Sequence, residues 1–254
     1  MSACQSGERP CRILVAEDTP DSRRLLELIL AGDGVQVETA CQGQEAFDKA
    51  LHSHQAGIPF DLIVMDMEMP VLSGYDAVQR LRAAGYRQPI IALTAHVLAG
   101  DREKCLAVGC DAYAVKPIDR QTLLSLAGQY VHMGESSTPA ASQPRAGDSL
   151  IGALSEADRR QLLSSFSESL RQRAEQLEAA ALANDLPQII YLAHAVHGST
   201  PLFGLEQIST VAGQLEQLAR GGASSQEIRQ WAGDVSHMCR EAAEAITPRP
   251  NSAN

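Results

Sequence analysis

From Arg12 to Gln129 the chain alternates short apolar runs with amphipathic segments, the pattern of a parallel sheet wrapped on both faces by helices. Ile13 to Ala16 reads as a first strand that stops at Glu17-Asp18, and Thr19, Pro20 and Asp21 open a helix carrying Leu25, Leu28 and Ile29. Val35 to Ala40 alternates, as an edge strand does, and a helix from about Gln44 to His54 follows. Leu62 to Met65 is a continuous apolar run that closes on Asp66, which a strand buried on both faces requires. A helix through Ala77, Val78 and Leu81 comes next, then a fourth strand from Pro89 to Thr94 and a helix around Cys105. A fifth strand, Ala112 to Val115, ends at Lys116-Pro117, and a last helix runs from about Asp119 to Tyr130.

The period changes at residue 132. Residues 132–149 are small, polar and Pro-rich, a composition that predicts a flexible linker. Beyond it every segment has helical spacing. Ser155 and Asp158 suit a capping box ahead of a stripe of Leu163, Phe166, Leu170, Ala174, Leu177 and Ala181. Asn184-Asp185 breaks that helix, and Leu186, Ile189, Ala193 and Val196 mark another. Leu205, Ile208, Val211, Leu215 and Leu218 mark a third that ends at Gly221-Gly222, and Ile228, Trp231, Val235, Met238 and Ala242 a fourth. Short connections between such helices predict an all-α antiparallel bundle over residues 150–247.

Composition narrows the function. The formal charge of the 254-residue chain is −10, and residues 150–247 hold seven Arg, no Lys and twelve acidic groups, which argues against a nucleic-acid-reading surface. Six cysteines form no CxxC pair and no metal-ligand spacing. The polar lead Met1 to Pro10 lacks the apolar core of a signal peptide, and no run is long enough to span a bilayer, so the expectation is a cytoplasmic protein without membrane insertion.

The strand ends carry the chemistry. On its own Asp66 reads equally as a helix cap or as a ligand-binding group, but the carboxyl ends of parallel strands share one edge of the sheet. There the first strand delivers Glu17 and Asp18, the third Asp66, the fourth Thr94 and the fifth Lys116. Clustered carboxylates repel one another and need a counter-charge, and hard oxygen ligands suit Mg²⁺. A cation, a hydroxyl and a metal around one carboxylate make a phosphoryl-transfer site, with Asp66 attacking phosphorus while Mg²⁺ and Lys116 neutralise the phosphoryl oxygens.

In these motifs residues 11–131 resemble the receiver domain of the two-component and phosphorelay families. The resemblance implies a flavodoxin-like α/β fold with strand order 2-1-3-4-5, Asp66 as phosphoacceptor, and Mg²⁺ held by Glu17, Asp18, Asp66 and the backbone carbonyl of Glu68. It implies that Lys116 pairs with the phosphoryl group ahead of a cis bond to Pro117. It also makes Thr94 and Tyr113 a switch pair in which the hydroxyl swings toward phosphate and the ring turns inward. Glu17-Asp18 stands where the family usually has two Asp, a change that keeps the donor set. Glu68 and His96 lie where they would influence the lifetime of phospho-Asp66. Haloacid-dehalogenase-type phosphatases also place a nucleophilic Asp after a strand, but need a second Asp two residues on; here Glu68 and Pro70 follow, and the Glu17-Asp18 pair would be unexplained.

In the helical half the stretch of interest is Ala193-His194-Ala195-Val196-His197-Gly198-Ser199-Thr200. On a helical wheel His194 falls roughly 120° from the apolar stripe, which predicts a solvent-facing imidazole, and Gly198 lies beside it one turn on. A helix-interior glycine costs about 1 kcal/mol, and its missing side chain leaves room beside the ring for a partner and a phosphoryl group. Taken alone, His194 reads as an unremarkable surface histidine, or with His197 as part of a metal site lacking a third ligand. Residues 150–247 resemble a histidine phosphotransfer domain, whose His-x-Leu-Lys-Gly-Ser motif and later Gly appear as His194, Val196, His197, Gly198, Ser199 and Gly204. His197 in place of Lys implies a partial, pH-dependent positive charge that can still donate a hydrogen bond to phosphate. Pro201 frees the carbonyl of His197, so the helix is expected to bend or end there.

The expectation is therefore a phosphorelay protein without a kinase core. Asp66 accepts a phosphoryl group from an upstream sensor or hybrid histidine kinase, and His194 relays it to or from receiver aspartates, a downstream response regulator among them. The receiver catalyses only its own phosphorylation and dephosphorylation. Met1 before a short polar lead favours a free-standing protein over the detached C-terminal part of a hybrid kinase. The alternative in another class is a receiver-controlled interaction switch whose bundle transfers nothing.

Overall fold

The computed structural model describes residues 9–94, 101–116, 118, 120–131, 151 and 154–246. The linker predicted over 132–149, the peptide bond to Pro117, and His96 all lie outside the described residues. The chain divides into two compact units, residues 1–148 and 149–254, each with its own core.

The first unit is a five-stranded parallel sheet in the order β2-β1-β3-β4-β5, formed by β1 (Cys11–Ala16), β2 (Val35–Ala40), β3 (Leu62–Asp66), β4 (Ile90–Thr94) and β5 (Ala112–Val115). Every residue of β3 and β4 is buried, which matches their unbroken apolar runs, whereas β2 alternates as an edge should. The crossovers are α1 (Pro20–Leu30), α2 (Gly43–Gln55), α3 (Gly74–Ala83) and α4 (Asp101–Ala107), and α5 (Arg120–Gly128) follows β5. Parallel register aligns Ala16 with Met65 and Asp66 with Leu93, so the carboxyl ends of β1, β3 and β4 lie side by side.

At the opposite end of the sheet, Arg82 of α3 is a clasp. Its guanidinium donates to the carbonyls of Gly109, Tyr86 and Gln88 at 2.8–2.9 Å and pairs with Asp111, which also accepts from the Ile90 amide. Gly109 makes room for it, since a Cβ there would lie 2.8 Å from Arg82 Cγ.

The second unit is built from α6 (Glu156–Ala183), α7 (Leu186–Ser199), a 3-10 turn (Thr200–Phe203), α8 (Glu206–Gly221) and α9 (Ser225–Ile246). Ser155 caps α6 by accepting from the Asp158 amide. Asn184 closes α6 in the left-handed conformation, at φ 53°, and Asp185 caps α7 by accepting from the Gln188 amide.

Two details of the predicted stripes need correction. Leu162, not Leu163, is the buried first position of α6, because an i, i+4 step from Phe166 falls on 162. Leu186 is exposed at the first turn of α7, whose buried face is Ile189, Leu192, Ala193, Val196 and Ser199. The predicted break at Pro201 is present: α7 stops at Ser199, and Gly204 ends the 3-10 turn at φ 76°.

Candidate functional site

The acidic edge of the sheet is assembled by loops that leave the strand ends. Asp66 is the last residue of β3, and the first turn of α3 presses on its backbone: a Cβ on Gly74 would lie 2.1 Å from the Asp66 carbonyl oxygen. Only glycine lets the start of α3 approach the end of β3 so closely. Asp66 Oδ1 accepts from the Glu68 amide at 3.0 Å, which orients the carboxylate toward the loops.

Glu17 and Asp18 follow β1. Ligand-competent oxygens of Glu17, Asp18 and Asp66 all lie within 4.8 Å of one another. Lys116, just beyond β5, places Nζ 2.6 Å from Glu17 Oε2 and 2.8 Å from Asp66 Oδ2. Thr94 is buried at the end of β4, and its carbonyl accepts from the Lys116 amide at 2.7 Å, tying the hydroxyl-bearing residue to the cation-bearing one. Tyr113 is half-buried on β5 against the core, with the Arg102 guanidinium 6.0 Å over its ring.

Electrostatics at this edge are set by burial. Burial pushes the Glu17 carboxyl up to about 7; Lys116 opposes the rise, while Asp66 and Asp18 add to it. Burial alone would lower Lys116, but Asp66 and Glu17 outweigh it and hold the ammonium above its ordinary range. Three carboxylates facing one lysine leave excess negative charge in a desolvated place, and oxygen donors this close together fit a small divalent cation. Glu17, Asp18 and Asp66 supply carboxylate ligands for such an ion.

Sequence patterning did not single out Arg23, which donates from α1 to the carbonyls of Glu17 at 2.7 Å and Asp18 at 3.1 Å and so fixes the acidic loop. Its place in the first turns of a helix that follows an acidic pair was the available signal.

In the bundle, the imidazole predicted to face solvent is half-buried. α8 packs along α7 and brings Glu216, which is buried, to 3.2 Å from His194 Nδ1. Arg220, one turn on, donates through Nε and Nη2 to the other carboxylate oxygen of Glu216. Burial alone would raise the Glu216 carboxyl, but its hydrogen bonds and charge pairing with His194 and Arg220 hold it below the usual range. A carboxylate can only accept, so Nδ1 of His194 carries the proton that faces Glu216. Gly198 has open space where a Cβ would stand.

His197, expected from the sequence to be able to donate a hydrogen bond to phosphate, has its Nδ1 edge against α8. Its Nδ1 lies 2.9 Å from both the carbonyl and the hydroxyl of Ser209 on α8. The His197 carbonyl, which Pro201 deprives of a helical donor, accepts from the Ser209 hydroxyl at 2.8 Å. Ser209 and Glu216 were invisible as site residues because the apolar stripe read on α8 ran through Val211 and Leu218, whereas the buried face also takes in Ser209, Ala212, Glu216 and Ala219.

A doubly wound sheet with an acidic carboxyl edge, joined in one chain to a helical unit that presents a histidine, is the domain pair of two-component signalling. Residues 13–127 match the family model of the response regulator receiver domain and residues 161–246 that of the Hpt domain, so the chain belongs to the phosphorelay proteins as a receiver followed by a histidine phosphotransfer domain. It is similar to the signal transduction histidine-protein kinase BarA of Escherichia coli, at 26% identity over 92% of this chain and 27% of that protein. Histidine kinase 1 of Arabidopsis thaliana is 36% identical over 45% of this chain and 12% of its own length. Among solved structures, the receiver domain of sensor histidine kinase PA1611 from Pseudomonas aeruginosa, which has a magnesium ion coordinated in its active-site cleft, is 37% identical, covering 48% of this chain and 97% of that one with a TM-score of 0.43. The chain spans at most about a quarter of the length of these histidine kinases.

Proposed function

We propose that this chain relays phosphoryl groups between aspartate and histidine, with Asp66 as the receiver's acceptor and His194 as the bundle's. The observation that carries the reading is the convergence of Asp66, Glu17, Asp18 and Lys116 on one buried edge, with Lys116 Nζ within 2.8 Å of both Glu17 and Asp66. Asp66 attacks the phosphorus of a phosphohistidine on an upstream sensor or hybrid kinase, the P–N bond breaks, and an acyl phosphate forms. Lys116 then exchanges part of its pairing with Asp66 for a phosphoryl oxygen, and the Thr94 hydroxyl takes another. Mg²⁺, when held by Glu17, Asp18, Asp66 and the Glu68 carbonyl, supplies charge neutralisation for the phosphoryl oxygens. Movement of Thr94 toward phosphate lets the Tyr113 ring turn inward, which would report phosphorylation to the surface.

In the bundle, Glu216 holds the proton on Nδ1 of His194 so that Nε2 is the nucleophile, and Gly198 leaves space for the incoming receiver. Transfer from an aspartyl phosphate forms an N–P bond and releases the carboxylate; the reverse step hands the group to a response regulator. His197 and Gly198 border the reaction without forming a bond to phosphorus.

The test uses labelled acetyl phosphate and Mg²⁺ with the full chain, Asp66→Asn and His194→Gln. Acid-stable, alkali-labile label is expected on Asp66 in His194→Gln. Mixing that labelled chain with Asp66→Asn should yield alkali-stable label on His194. Label that never depends on His194, in either direction, rejects the relay and leaves the receiver as an interaction switch.

A further inference from the structure

Two cations reach the acidic edge and bind different atoms there. Lys116 Nζ sits on the carboxylates of Glu17 and Asp66, the groups a metal would use, and so competes with it. Arg23 Nη1 donates instead to the main-chain carbonyls of Glu17, at 2.7 Å, and Asp18, at 3.1 Å. These two carbonyls belong to the rigid peptide planes on either side of the Asp18 Cα. One nitrogen that holds both planes fixes the backbone dihedrals of Asp18, and with them the direction in which its carboxylate leaves the chain.

The support behind that nitrogen is firm. Arg23 lies in the first turns of α1, its amide donates to the Thr19 carbonyl at 2.9 Å, and Leu25, Leu26, Ile29 and Leu30 of the same helix are buried. The side chain of Thr19 does not cap α1; its amide turns back to Glu17 Oε1 at 3.3 Å. Residues 17–19 are thus hung from a buried helix by the Arg23 side chain.

The carboxylates of Glu17, Asp18 and Asp66 repel one another, so a slack loop would carry Asp18 away from the other two, and a metal would have to gather it back. In the tied loop, ligand-competent oxygens of all three stand within 4.8 Å of one another. We propose that Arg23 is a positioning residue for the metal, a cation whose loss weakens the binding of a cation. This rests on the reading of the acidic edge as the Mg²⁺ site of the relay. Charge and positioning predict opposite signs. Removing a positive charge near a divalent ion strengthens its binding, whereas losing a group that orients the ligands weakens it.

The experiment titrates the full chain with MgCl₂ by calorimetry and compares it with Arg23→Gln, Arg23→Lys and Arg24→Gln. Arg24, the next residue of α1, pairs with Glu27 at 2.8 Å, so its replacement removes the same charge without touching the loop. Arg24→Gln is expected to bind Mg²⁺ as tightly as the unmodified chain or more tightly. Arg23→Gln is expected to bind roughly tenfold more weakly, and Arg23→Lys, which keeps the charge on a shorter arm, to fall between. Excess Mg²⁺ is expected to restore the rate at which acetyl phosphate labels Asp66 in Arg23→Gln, since the ligands are present and only their orientation is lost. An affinity in Arg23→Gln equal to or above that of the unmodified chain overturns the proposal, and a lower urea midpoint with unchanged affinity shows a merely structural role and overturns it too. So does labelling that saturating Mg²⁺ restores in the unmodified chain but not in Arg23→Gln. Should Arg23→Gln fail to fold, Arg23→Lys decides: weaker binding supports the proposal, and unchanged binding shows that charge alone matters and overturns it. If the affinities order as expected but acetyl phosphate labels Asp66 in no chain, the relay reading falls while the role of Arg23 toward the metal stands.

Discussion

Glu17 is where burial and function pull hardest against each other. A carboxyl pushed up to about 7 is largely protonated at pH 6 and largely ionised at pH 8, and protons compete with a divalent ion for it. Mg²⁺ affinity, measured by calorimetry, should therefore weaken about tenfold from pH 8 to pH 6. The same shift has a stability sign. The folded value lies above the ordinary 4.5, so ionised Glu17 costs the metal-free fold nothing below about pH 4.5 and most above pH 7. Without Mg²⁺, Glu17→Gln should raise the melting temperature at pH 8, by the equivalent of about 1–3 kcal/mol, and the gain should vanish toward pH 4.5. Gly74 acts on the same site through space alone. A Cβ 2.1 Å from the Asp66 carbonyl oxygen cannot be accommodated, so Gly74→Ala should displace Asp66, cost about 3 kcal/mol or more in chemical denaturation, and slow labelling of Asp66. The glycine could be read from the sequence as the start of a helix; its close approach to Asp66 could not.

At the scale of elements, the strands were the most legible. The alternation of β2 and the unbroken runs of β3 and β4 match an edge and two central strands, because burial on one or both faces dictates the pattern directly. Helix ends were legible where a side chain closes them, as at Asn184-Asp185. Asp185→Ala should cost the bundle about 1 kcal/mol, read as a lower urea midpoint of the helical unit. Arg82 was not legible, since nothing in its local spacing distinguishes it from Arg80. Three backbone carbonyls and Asp111 nevertheless depend on it. Arg82→Met should destabilise the receiver by about 2–4 kcal/mol, while Arg80→Met, at an exposed position, should change little.

At the scale of the whole molecule, two separate hydrophobic cores serve one chemistry, and the change of sequence period from strand-and-helix to helix alone marks the passage between them. A domain that holds its own core is expected to fold by itself. Fragments 9–131 and 154–246 should each unfold cooperatively, and mixing Asp66-labelled receiver fragment with bundle fragment should move label to His194. Failure of either fragment to fold would place part of its stability in segments outside it.

By itself the sequence determined the fold class, the strand order expected from the receiver resemblance, and the convergence of Glu17, Asp18, Asp66, Thr94 and Lys116, because parallel strands necessarily deliver their ends to one edge. Tertiary structure decided what no local pattern encodes: that Arg23 fastens the acidic loop, that Glu216 meets His194, and that Ser209 and Gly213 hold His197. These partners lie on different elements from the residues they serve. Hydrophobic periodicity specifies which face of a helix is buried, but which polar group arrives opposite an imidazole depends on the rotation and closeness of the neighbouring helix, and small residues such as Ala212 and Gly213 set that closeness only once α8 is packed on α7.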